Sequence, residues 1–272
     1  MRFTFSLALL LLLAAPAVHA TDERYRDMLV VEQASGLAGA FIAISDDPSG
    51  VLYNPAGIVF GMENYFSLSA NVFEKSVRVY KNALQGQDYT YTSSSIIPTF
   101  FGLTQSLGKG KLGFAIIVPS QENYDQNDSK GGLSTAANDA NILKRRFLDQ
   151  DTTYMAGPAY AYEVAKDLTM GLSVLGVYRT RKVIDNQLIL FNSTRYVLDE
   201  KTIDQATYGL YPKFGMQYMP LPKFSFGATL AKTFTLQSDR HVHSVDVDTT
   251  NTSNPVETDS TSSPKLVSPV EL

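Results

Sequence analysis

Not one cysteine or tryptophan occurs in the 272 residues. Without cysteine there is no disulfide framework, thiolate metal site, cysteine nucleophile or lipid-bearing thiol. Without tryptophan, any belt of rings at a membrane surface has to come from the 15 tyrosines and 15 phenylalanines. Charge is sparse and balanced: a net −4 excludes a strongly basic nucleic-acid binder. After residue 20 no stretch approaches ~20 continuous apolar residues, so no transmembrane helix is expected. A hydrophobic content of 44% looks like that of a soluble protein. It also suits a membrane barrel, because half of each strand faces the lumen and dilutes the signal.

The N-terminus carries an address. Arg2 is followed by an apolar core from Leu7 to Ala15, a break at Pro16 and a small-x-small site at Val18-His19-Ala20. Residues 1–20 read as a secretory signal peptide, with Thr21 the first mature residue. The competing reading is a buried N-terminal helix.

The main body alternates. Tyr208, Leu210, Pro212, Phe214, Met216 and Tyr218 share one parity, and Gly209, Tyr211, Lys213, Gly215 and Gln217 the other. Phe224, Phe226, Ala228 and Leu230 repeat the pattern after a turn at 220–222. Successive strand side chains point to opposite faces, so each run has a greasy face and a small or weakly polar one. A soluble sandwich puts Lys and Glu on its wet face; a barrel wall in lipid does not. Similar runs begin near residues 63, 99, 111, 154 and 168, and 266–272 reads as the start of an eighth strand. Short turns fall near 109, 166 and 221. Long polar stretches at 74–95, 120–147, 180–205 and 237–264 read as loops on the other side. Tyr160, Tyr162, Tyr218 and Phe224 flank the short turns, while Tyr154, Tyr178, Tyr208 and Phe234 mark the opposite ends. Short periplasmic turns, long external loops and two ring girdles predict an all-β, transmembrane antiparallel β-barrel of outer-membrane type over residues 62–272. The alternative is a β-rich soluble protein with core aromatics. Lys232 falls on the lipid parity and would have to snorkel.

Residues 21–61 do not alternate. The segment 33–57, QASGLAGAFIAISDDPSGVLYNPAG, resembles the FadL/TodX family of outer-membrane transporters, which carry small residues, an acidic pair and Asn-Pro-Ala soon after the signal peptide. The resemblance implies a monomeric barrel of about fourteen strands, plugged by an N-terminal hatch over 21–61. It implies passive uptake of long-chain fatty acids or other hydrophobic compounds, with sideways exit through an opening made by a kinked strand. The expected partners are a hydrophobic ligand, outer-membrane lipid and the barrel-assembly machinery, with no cofactor and no nucleic acid. The chain departs from the family in showing about eight strands and no C-terminal aromatic. C-terminal truncation is the favoured account, because a complete eight-stranded barrel is filled by its own side chains and leaves no room for a hatch.

Asn54, Pro55, Ala56 and Gly57 are the hatch motif, against the plainer reading of an ordinary Asx-Pro turn. Val30, Val31, Leu37, Phe41 and Ile42 are candidate ligand-pocket residues. Pro158 and Pro212 are candidate wall kinks, because proline removes a ladder hydrogen bond; a tolerated bulge is the simpler alternative. Pro119 reads as a strand stop. Asp46 and Asp47 lack a companion base or metal ligand nearby and read as turn carboxylates. His241 and His243 with Asp246 and Asp248 could hold a metal, but their surroundings read as a flexible loop, so no metal is expected. Asn192-Ser193-Thr194 matches a glycosylation acceptor without the eukaryotic context. The functions that follow are a hydrophobic-solute channel, or a scaffold barrel similar to PorV that docks protein partners. An outer-membrane phospholipase ranks last, since the mature histidines fall in a predicted loop.

Overall fold

The computed structural model describes residues 31–37, 40–84, 87–132, 140–191, 195–221, 224–249, 255–264 and 271. The expected signal peptide, Val30 and Asn192-Ser193-Thr194 lie outside the described residues. One antiparallel sheet runs β1 (Asn64–Leu84), β2 (Gln87–Leu107), β3 (Gly110–Gly131), β4 (Ala140–Ala165), β5 (Leu168–Phe191), β6 (Tyr196–Leu221), β7 (Phe224–Ala231), β8 (Phe234–Asp248) and β9 (Val256–Ser262). β6 pairs with β7 along Lys213–Leu221 and with β8 along Val197–Leu210. β7 and β8 are therefore two halves of one rung, broken at Lys232-Thr233. Among the described residues β1 and β9 form the two edges, and the sheet is not closed.

The two faces are inverted relative to a soluble protein. On β5, Thr169, Gly171, Ser173 and Leu175 are buried while Met170, Leu172 and Val174 are exposed. On β6 the odd residues Thr207 to Gln217 are buried, whereas Leu210, Phe214 and Tyr218 lie open. Phe226 on β7 is 64% exposed. Large apolar side chains thus cover the outer face, and the inner face, where the N-terminal segment packs, mixes glycines and small polar residues with a few large ones such as Leu175 and Tyr211. The rings of Tyr154, Tyr178 and Tyr208 form an outward row across β4, β5 and β6, with centroids 6.3 and 5.0 Å apart. Between Tyr178 and the Leu168–Tyr218 pair lies about 33 Å of strand, or ~25 Å of depth at a ~40° tilt, which matches the apolar band of an outer-membrane barrel.

The four expected loops are a correction. Residues 74–95, 120–147, 180–205 and 237–264 are mostly strand. β4 and β6 each run 26 residues, about 86 Å, where a membrane crossing needs about 10 residues. Polar composition suits a loop, but these extensions are polar ladders. Arg145 forks onto Asp185 at 2.7 and 2.6 Å, Arg179 onto Asp151 at 2.9 and 2.6 Å, and Arg181 onto Asp149 at 3.3 and 3.1 Å. Such cross-strand charge pairs stabilise a ladder above the membrane. A further strand, β9, occupies 256–262 inside the expected last loop. Most of 266–272 lies outside the described residues, although Glu271 forms a bridge to Ala231.

Candidate functional site

The N-terminal segment folds into helix α1 (Glu32–Gly36) and two 3-10 helices, Pro48–Val51 and Pro55–Phe60. The turns read at 46–50 and 54–57 are the starts of these helices. Each has an Asx cap followed by proline, whose fixed φ suits a first helical position. Asp47 Oδ1 accepts from Ser49 N at 2.7 Å and from Ser49 Oγ at 2.5 Å. Asn54 Oδ1 accepts from Ala56 N at 3.1 Å. The paired acids therefore divide: Asp47 caps a helix, while burial, with Asp47 alongside, raises the Asp46 carboxyl above its ordinary value against the opposing pull of its backbone hydrogen bond.

Asn54 does more than cap. It is fully buried, and its Nδ2 donates to Ile42 O at 2.8 Å and to Met216 O at 3.1 Å. One amide thus ties two parts of the plug to the wall strand β6. The elbow fits because two wall residues on the inner parity have no side chain. A Cβ at Gly171 would lie 2.5 Å from Ala56 N, and one at Gly215 would collide with Asn54 Oδ1. Thr169 Oγ1 donates to Ala56 O at 3.0 Å beside this slot. At the end of the second 3-10 helix, Lys111 Nζ donates to Gly61 O at 2.8 Å and Met62 O at 2.6 Å. Phe41, Leu52, Tyr53 and Ile58 then pack with Ile117, Met155, Leu175 and Tyr211 of the wall as one apolar cluster. Not every polar group in the seam is satisfied within the protein: the Gln217 amide and Ser173 Oγ are buried without a hydrogen bond. Replacing Gly215 by valine should displace the elbow at a cost of about 2 kcal/mol, measured as lost hydrogen-exchange protection over 42–58, while strand protection in β3–β6 is retained.

The residues picked from sequence separate. Asn54, Pro55, Ala56 and Gly57 are all buried at the wall. Phe41 is 1% exposed and edge-on to Tyr53 at 5.5 Å, so it belongs to the packed cluster. Val31 packs partly against that cluster, Ile42 is half-buried, and Leu37 is exposed. Gly171 and Gly215 were missed as site residues; their signal was the small inner-face parity.

The prolines also divide. Pro158 stays within register opposite Phe114 on β3, but on its other side the β4–β5 ladder skips Gly157 and Pro158, between Ala156↔Gly176 and Ala159↔Ser173. Pro212 faces the Lys232-Thr233 break, where Lys232 N reaches Pro212 O at 3.4 Å. The outward Lys232 ammonium lies over the Phe234 ring, at 5.7 Å. Pro119, read as a strand stop, is inside β3, at a bulge between Ile117 and Ser120. Here the β2–β3 ladder is interrupted: it holds from Leu107↔Gly110 to Phe100↔Ile117 and resumes at Ser93↔Tyr124. The same register applies on both sides, and it sets Pro98 against Pro119. Neither residue can donate a ladder hydrogen bond at that pair. Sequence could have shown Pro98 and Pro119, but only the register opposes them.

Above the plug the inner face is charged but balanced, with the three Arg–Asp forks joined by Arg78–Glu122 at 2.8 Å. A cavity of about 400 Å³ among the outer ends of β3 to β6 is lined by polar residues including Asn127, Arg145, Asn186 and Glu200, away from the plug.

No protein-family model matches this chain, and no curated protein matches its sequence. Among solved structures it is similar to the toluene transporter TodX of P. putida, with a TM-score of 0.57 and 13% identity over 81% of this chain. The chain spans 59% of the length of TodX. A FadL homologue of Pseudomonas aeruginosa aligns over 82% of this chain and 66% of its own, at 13% identity and a TM-score of 0.45. The likeness to TodX identifies the fold as that of an outer-membrane barrel wall.

Proposed function

We propose that this chain, which has the fold of the TodX-type outer-membrane barrels, forms a bacterial outer-membrane conduit for the passive uptake of hydrophobic small molecules, long-chain fatty acids among them. The observation that carries this reading is the interruption of the β2–β3 ladder at Pro98 and Pro119, in a wall whose inner face holds a plug. Residues 21–61 are the hatch, and the interruption is the sideways exit. Each CH₂ of an acyl chain prefers an apolar site to water by about 0.8 kcal/mol, so a solute leaving through the wall enters the bilayer without crossing the aqueous periplasm. The solute, the membrane lipid and the assembly machinery are the partners, and no catalytic step is assigned.

The chain's lack of cysteine makes the test clean. Ile97→Cys with Ser120→Cys places thiols across the interruption. Bridging them with a short bifunctional reagent should lower uptake of a labelled fatty acid at least tenfold. A control bridge across the intact ladder, Leu103→Cys with Phe114→Cys, should leave uptake unchanged. Uptake that survives the first bridge contradicts the exit; folded, inserted protein that takes up no hydrophobic solute contradicts the function. Stoichiometric cross-linking of that protein to another polypeptide through the strand extensions would favour the scaffold reading.

A further inference from the structure

His241 and His243 lie two apart on β8, so both imidazoles face one side of the strand. The ladder sets His241 opposite Thr261 and His243 opposite Asp259 on β9, with Glu257 opposite Val245. His241, His243, Glu257 and Asp259 therefore share a face. Asp246 and Asp248, the carboxylates suggested by sequence, have the other parity and point away; the acids come from the neighbouring strand.

Donor atoms of His243, Glu257 and Asp259 all lie within 4.8 Å of one another. His243 Nδ1 is 2.9 Å from Asp259 Oδ1, and His241 Nε2 is 3.6 Å from the same oxygen. Ligands of a tetrahedral ion bonded at about 2.05 Å are separated by about 3.3 Å, and the His243–Asp259 spacing lies close to that value. His241 Nδ1 is 3.3 Å from Thr261 Oγ1. Donation from Nδ1–H to that hydroxyl leaves the Nε2 lone pair free for a metal, the usual outer support of a ligating histidine.

We propose that His243, Glu257 and Asp259 form a binding site for a divalent transition-metal ion, with His241 beside them on the same face and zinc as its probe. Mixed imidazole and carboxylate donors suit zinc and its neighbours better than magnesium or calcium, which take oxygen ligands. The site faces outward, and β6 sets Asp204 opposite His241, four residues beyond Tyr208 in the girdle. That is ~13 Å of strand above the rings, so the site is open to water and ions. Its physical effect is specific: β9 is an exposed edge strand of mostly polar residues, with β8 its only ladder partner among the described residues. An ion bonded to both strands clamps that edge.

The test uses the full chain in detergent micelles and zinc in competition with a chromogenic chelator. One zinc per chain at micromolar affinity or tighter is expected, unaffected by millimolar magnesium or calcium. Asp259→Asn should weaken binding at least tenfold, and His241→Ala with His243→Ala should abolish it. Both are exposed replacements, checked for retained strand content by circular dichroism. As a separate readout, zinc should slow amide exchange in 256–262 of the wild-type chain and not of the double variant. No zinc uptake by the wild type, equal uptake by the double variant, or displacement by magnesium or calcium would overturn the site.

Discussion

Asn54→Asp is expected to unseat the hatch almost completely. The replacement keeps the shape and the acceptor that caps Ala56 N, but it removes both N–H donors. Ile42 O and Met216 O, which the amide satisfies at 2.8 and 3.1 Å, then face a carboxylate in a fully buried site. Two lost hydrogen bonds, two stranded carbonyls and the repulsion together cost about 4 kcal/mol. Asn54→Ala, which loses the cap as well but buries no charge, should cost about 2 kcal/mol. The order matters more than either value, because a plain turn asparagine would tolerate aspartate better than alanine. Hydrogen exchange over 42–58 measures it. Greater protection in Asn54→Asp than in Asn54→Ala contradicts the bonding scheme. If the hatch also occludes the barrel, Asn54→Asp should raise single-channel conductance in planar bilayers.

Leu172→Arg is expected to block assembly. Leu172 faces outward, 51% exposed, about midway between the two rows of rings. A cation at that depth costs about 3 kcal/mol in a membrane barrel, where the same substitution on a solvated sheet face costs little. Thr180→Arg, on the same face but beyond Tyr178, is the control and should assemble normally. Heat-modifiable mobility on gels, together with urea resistance of the membrane-bound protein, reads both. Equal behaviour of the two variants contradicts the assigned depth.

The wall was legible in the sequence wherever large and small residues alternate. In 208–218 the period of two settles both the strand and its faces, and the structure buries one parity and exposes the other. It was not legible in 120–131 or 180–191, where polar residues also alternate. Arg179 and Asp151 reveal their role only when register brings them together. The segment 256–262, Val-Glu-Thr-Asp-Ser-Thr-Ser, has turn-like composition and becomes a strand because β8 offers it an edge. The elbow was half legible: Asn54 and Pro55 announce a cap, but their seat at Gly171 and Gly215 depends on tertiary approach. The prolines make the same point. Pro158 and Pro212 interrupt good strand patterns and each sits at a short break in one neighbouring ladder, whereas the longer interruption falls at Pro98 and Pro119, which matter because they oppose each other.

The exposed apolar face should meet hydrocarbon, and the absence of tryptophan allows a direct measurement. Single tryptophans introduced as Leu210→Trp, Phe226→Trp and, on the inner parity, Tyr211→Trp can be followed in bilayers of lipid brominated along the acyl chains. Strong quenching at the first two and little at the third is the expected result. Outward tryptophans that brominated lipid leaves unquenched would show that this face does not touch acyl chains, and the conduit would fall with it.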